Sequence, residues 1–242
     1  MKTMNMKTFR NVALAAMIAT ASLAGAQNPE VQQKLAALKE SSAANKKALA
    51  TYTWQEQDTI SLKGEVKKQE SFQVRMGPDG KPQKTPLNAA PAQQPSEPSG
   101  GRRGGRVKEK IVENKKEEYK EYADKIKELA ASYAAMDPAK LQQAAQSGNV
   151  KLSPGATADD VQLAITNYLK PNDSMTITID KAAKAVQSVQ IASYLDSPSD
   201  AVKIALQFAK LPDGTNYTSS TTLDGVSKQL NVKVVNTNYT KI

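Results

Sequence analysis

The chain has 242 residues, no cysteine and no histidine, and 33 Lys+Arg against 24 Asp+Glu. That composition excludes disulfides, thiol nucleophiles, imidazole bases and the commonest zinc ligands, and with them most familiar catalytic constellations. It points to binding, carrying or structural work, and no cofactor is expected.

Residues 1–26 have the three parts of a secretory leader: Lys2, Lys7 and Arg10, then an apolar run from Val12 to Leu23, then the small-residue site Ala24-Gly25-Ala26. The expected cleavage after Ala26 leaves Gln27 at the start of a mature chain of roughly 215 residues, long enough for one core without disulfide staples. Localisation is expected to be periplasmic or secreted. Three of the basic residues and no acid lie in the leader, so the mature chain keeps 30 basic residues against 24 acidic. That excess is too small for a nucleic-acid footprint, and no nucleic acid is expected as partner; an anionic envelope surface is a plausible electrostatic neighbour.

Residues 27–242 read as a single α+β domain. Asn28 as cap, Pro29 and Glu30 in the first turn, and an apolar stripe of Val31, Leu35, Leu38 and Leu49 predict a helix over 28–50. The period then changes. Ile60 with Leu62, and Phe72 with Val74 and Met76, alternate with polar residues across the turn Lys63-Gly64, which predicts two antiparallel strands between Thr51 and Met76. A third short strand is expected at 82–87, after Gly77-Pro78-Asp79-Gly80. Residues 88–105, rich in Ala, Pro, Gln, Ser and Gly, read as a disordered basic loop.

A helical insertion follows at 106–147. Tyr119, Tyr122, Ile126, Leu129, Tyr133 and Met136 alternate spacings of three and four, a seam for packing on something apolar. Asp137-Pro138 starts a second, short helix. From Val161 onward, alternating apolar residues separated by tight turns predict a meander of about six strands, for eight or nine in all. The turns expected are Lys170-Pro171-Asn172-Asp173, Asp180-Lys181, Asp196 to Asp200, Pro212-Asp213-Gly214 and Asp224-Gly225. Apolar residues on one side only imply a large antiparallel sheet with one buried face. The expected architecture is a strongly curved antiparallel sheet, or incomplete β-barrel, covered by helices.

Candidate chemistry is sparse. Asp159-Asp160, Glu117-Glu118 and Asp196 with Asp200 are carboxylate pairs in turns or on a charged helix, where acids commonly cap and solubilise. No metal site is expected. Arg102, Arg103 and Arg106, extended by Lys108 and Lys110, form a basic patch able to hold anionic surfaces.

The leader, a short helix, Tyr52-Thr53-Trp54-Gln55-Glu56-Gln57 opening a strand pair, a helical insertion and a terminal β-meander resemble the bacterial lipoprotein-sorting carriers of the periplasm. The segments from Leu62 to Lys67 and from Arg75 to Pro86, with the Gly-Arg loop, resemble uncharacterised secreted bacterial proteins. The resemblance implies a non-enzymatic carrier that holds a lipid-like ligand or lipidated protein between a half-open barrel and lid helices. With the strand alternation, it nominates Trp54, Ile60, Leu62, Phe72, Val74, Ile177, Ile204, Leu206 and Phe208 from the sheet, and Ile126 and Leu129 from the lid, as ligand-binding residues. The alternative is an envelope interaction protein with a filled core that works through its basic loop and charged helix.

Overall fold

A computed structural model describes residues 44–78, 80–87, 105–134 and 137–242. The leader, most of the helix expected at 28–50 and nearly all of the loop expected at 88–105 lie outside them.

Ten strands form one antiparallel sheet: β1 (Tyr52–Leu62), β2 (Glu65–Met76), β3 (Pro82–Pro86), β4 (Val150–Pro154), β5 (Asp160–Thr166), β6 (Ser174–Asp180), β7 (Ala185–Tyr194), β8 (Ala201–Lys210), β9 (Asn216–Gly225) and β10 (Leu230–Lys241). The order across the sheet is β3-β2-β1-β10-β9-β8-β7-β6-β5-β4. The last seven strands are a simple meander, and the first three attach to its far edge by pairing β1 with β10. β3 and β4 are the two edges, so the sheet stays open.

The strand not foreseen is β4, whose five residues end on Pro154. Its apolar content is too thin to signal a strand, and it pairs as an edge strand, where proline is tolerated.

Among the described residues, 44–49 are helical ahead of β1, and two helices lie between β3 and β4: α1 (Gly105–Ala134) and α2 (Pro138–Gln146). Four residues of the predicted seam, Tyr122, Ile126, Leu129 and Tyr133, are buried and join the core of the sheet, whereas Tyr119 is half-buried. Leu141 and Ala144 of α2 belong to the same core. Met136 lies outside the described residues. The face carrying these contacts is the inner face.

Gly225 has a role that its turn-like setting hides. It is the last residue of β9, and the tight turn lies beyond it at residues 226–229. A Cβ at Gly225 would lie 2.5 Å from Tyr122 Cε1 and 2.7 Å from Ile126 Cδ1. Glycine is there because α1 comes down onto the strand, a close approach that any side chain would block.

Three of the carboxylates read as pairs in the sequence tie α1 to the sheet. Asp200 accepts a hydrogen bond from the Tyr122 hydroxyl at 2.9 Å, Asp196 pairs with Lys125 at 2.7 Å, and Glu118 pairs with Lys228 at 2.5 Å. Asp160 accepts a hydrogen bond from Gln187 Nε2 at 2.8 Å.

A charged patch on the inner face

Alternation along β1 places Tyr52, Trp54, Glu56, Asp58, Ile60 and Leu62 on the inner face. Glu56 and Asp58 are therefore inward and buried, 7% and 3% exposed. The register with β2 sets Trp54 against Val74, Glu56 against Phe72 and Asp58 against Glu70. The register of β2 with β3 sets Val74 against Lys84. Lys84 thus reaches inward from the edge strand, its side chain 8% exposed. It forms an ion pair with Glu56 and lies 3.6 Å from Asp58 Oδ2. Lys68, opposite Ile60 on β2, pairs with Glu70 at 2.7 Å.

Taking these charges out of water moves their titration. Burial pushes the Asp58 carboxyl up to about 6, the Glu70 carboxylate adds to the rise, and Lys127 of α1 and Lys68 oppose it. Burial pulls the Lys84 ammonium down to about 8, with repulsion from Lys127 adding to the fall. An inward lysine on an edge strand also guards against edge-to-edge pairing. That accounts for Lys84 but does not call for two buried carboxylates beside it.

Several buried polar atoms in this region have no hydrogen-bond partner among the described residues: Asp58 Oδ1, Asn236 Oδ1 and Trp54 Nε1. Asn236 stands directly opposite Glu56 on β10, and its amide is oriented by donation from Nδ2 to the Thr218 carbonyl at 2.8 Å. A buried polar atom left unanswered costs about 1–3 kcal/mol, so such atoms are ordinarily met by ordered water or by a bound group.

Beside the patch lies an aromatic cluster, built on a bulge. The β1–β10 register shifts between Thr53 and Gln55, where Asn238 takes the left-handed φ of 54°. Asparagine tolerates that conformation better than most residues. The extra residue reverses the alternation of β10 and turns Tyr239 to the inner face. Tyr239 stacks on Trp54 at 5.4 Å between ring centroids and lies 4.3 Å from the Tyr217 ring.

The nominated ligand-binding residues divide between two apolar clusters. Ile126, Leu129, Ile177, Ile204 and Leu206 are buried together in the main core, with Ile60, Leu62 and Phe208 packed on its margin. Trp54, Phe72 and Val74 form a separate cluster with Met76 and Tyr239. Along β1, Glu56 and Asp58 stand between the two. Of the basic patch, Arg102 and Arg103 lie outside the described residues, and Arg106, Lys108 and Lys110 are on the first turns of α1.

The charged patch itself was missed by sequence reasoning, which sought paired acids in turns. The signal was parity: Glu56 and Asp58 stand at even positions between the inward Trp54 and Ile60. Among the described residues, no three acidic side chains gather as a metal-holding group.

No family model matches the chain, so the resemblance to lipoprotein-sorting carriers finds no support there, and no curated protein matches it. Among solved structures, it is similar to the crystal structure of a DUF1329 family protein from Desulfovibrio piger. The TM-score is 0.44 and the sequence identity 10%, covering 88% of this chain and 94% of that one.

Proposed function

We propose that the chain is a non-enzymatic carrier of the bacterial envelope, exported by the leader at residues 1–26. It holds a lipid-like ligand, free or attached to a protein, on the inner face of a strongly curved, barrel-like sheet, with the helices as lid. One observation carries this reading. The inner face bears two separate apolar clusters, and the described side chains of α1 and α2 that are buried there join only the larger. The second, drawn from β1, β2 and β10, combines Trp54, Phe72 and Tyr239 beside a charged patch. Buried apolar side chains next to buried charged ones suit an amphiphile.

Trp54 is the single tryptophan of the chain, so its emission reports on this cluster. Binding of cis-parinaric acid is expected to give energy transfer from Trp54, and organic extraction of freshly purified native protein is expected to release lipid. No energy transfer together with a lipid-free extract would sink the reading.

A further inference from the structure

We infer that Asp58 and Asn236 recognise the primary ammonium headgroup of an amphiphile held on the inner face. The inference rests on the carrier reading and adds the chemistry of the headgroup.

The argument begins with what each oxygen already has. Asp58 Oδ2 faces the Lys84 ammonium at 3.6 Å, whereas Oδ1 is buried and has no partner among the described residues. Lys84 is engaged on its other side by Glu56. Asn236 cannot turn its amide to answer its own Oδ1 without giving up the bond from Nδ2 to Thr218. Because Glu56 is opposite Asn236 and Asp58 is two residues on, Asp58 and Asn236 are diagonal neighbours on one face. Such neighbours are about 7–8 Å apart from backbone to backbone, near enough for their side chains to meet at one headgroup.

Both unanswered oxygens are acceptors, so the complementary group must donate at least two hydrogen bonds. A carboxylate, sulfate or fully ionised phosphate only accepts. A hydroxyl donates one. A primary ammonium donates three, and its charge strengthens each. Local charge favours the same choice: the sheet brings the carboxylates of Glu56, Asp58 and Glu70 together with the ammonium groups of Lys68 and Lys84. The next cation in reach, Lys127, also pairs with Asp124 at 3.0 Å. A cationic headgroup restores the balance, and an anionic one opposes it. The aromatic cluster next to Asn236, with Trp54 and Phe72 only 5% and 6% exposed, supplies adjoining apolar side chains.

The test compares dodecylamine, dodecyl maltoside and dodecanoate, each below its micellar concentration at pH 7.5, as competitors of bound N-phenyl-1-naphthylamine. Butylamine is added as the headgroup without its chain. Dodecylamine is expected to displace the probe at a concentration about tenfold lower than the other two dodecyl compounds, the worth of one charge-assisted hydrogen bond. Butylamine is expected to be inert. Asp58→Asn should remove the advantage of dodecylamine and leave the other two unchanged, and Asn236→Ala should reduce it with the ion pairs intact. Equal displacement by all three dodecyl compounds, or preference for dodecanoate, overturns the headgroup site and leaves the carrier reading standing. Displacement by butylamine as strong as by dodecylamine overturns the amphiphile and leaves a site for free amines. A protein that binds neither the probe nor any dodecyl compound overturns both readings.

Discussion

Two buried aspartates show how differently the two halves of the inner face are built. Asp173, 1% exposed, stands where β6 begins and is fully answered. Its Oδ1 accepts from the Tyr168 amide at 2.7 Å. Its Oδ2 accepts from the Leu169 and Lys170 amides at 2.8 and 2.9 Å and from the Tyr133 hydroxyl of α1 at 2.5 Å. This carboxylate closes a turn and fastens a helix. Asp58, 3% exposed, has one oxygen near a lysine and the other without a partner among the described residues. The β4–β9 half spends its buried polar groups on structure, whereas the β1–β3 half keeps some unspent. A buried polar network that is complete rigidifies a fold, and one that is incomplete is available for something else.

The sharpest way to break this comparison is to remove Lys84. Lys84→Ala leaves Glu56 and Asp58 buried without their cation and is expected to cost about 3–5 kcal/mol at pH 7, measured by urea unfolding. The loss should shrink as pH falls from 6 toward 4 and Asp58 takes up a proton. Leu206→Ala in the main core, at a side chain with 0% exposure, is expected to cost about 2–5 kcal/mol by leaving a cavity. That cost should not change with pH, which separates the two halves in one experiment.

Asp58→Asn sharpens the contrast. The folded-state pKa of Asp58, about 6, lies above its ordinary value of 3.8. Ionisation therefore disfavours the fold, and the contribution of the protonated group is lost as pH rises through 6. The variant is expected to be more stable than the parent by about 1–3 kcal/mol at pH 8, with the gain fading between pH 6 and pH 4. A destabilised variant at pH 8 would mean that the ion pair with Lys84 outweighs the burial of the charge.

Smaller effects test how α1 is seated. Gly225→Ala must displace Tyr122 or Ile126 and is expected to cost about 1–3 kcal/mol, seen as a lower Tm. Lys125→Ala removes a pair whose side chains are 54% and 77% exposed. It should change stability by less than about 0.5 kcal/mol.

Much of the fold was legible because alternation with a period of two and a seam with spacings of three and four are local properties. The strand positions from β5 to β10, the hairpin of β1 and β2, and the buried face of α1 follow from the order of Ile, Val, Leu and Tyr. The inward parity of Glu56 and Asp58 was also written there, between Trp54 and Ile60. What parity does not reveal is who stands opposite. Lys84 meets the two acids only because β3 returns in a register that sets it against Val74. Asn236 joins them only because β10, 180 residues along the chain from Glu56, pairs with β1. Tyr239 faces Trp54 only because Asn238 bulges, and Gly225 is glycine because a helix from 100 residues earlier settles on it. The sequence by itself determined which residues form strands, which helix face is apolar and which side chains share a face, since those depend on neighbours a few residues away. Only the tertiary structure decided which buried charges were answered and which were not, because that depends on register across strands and on how close the helix lies.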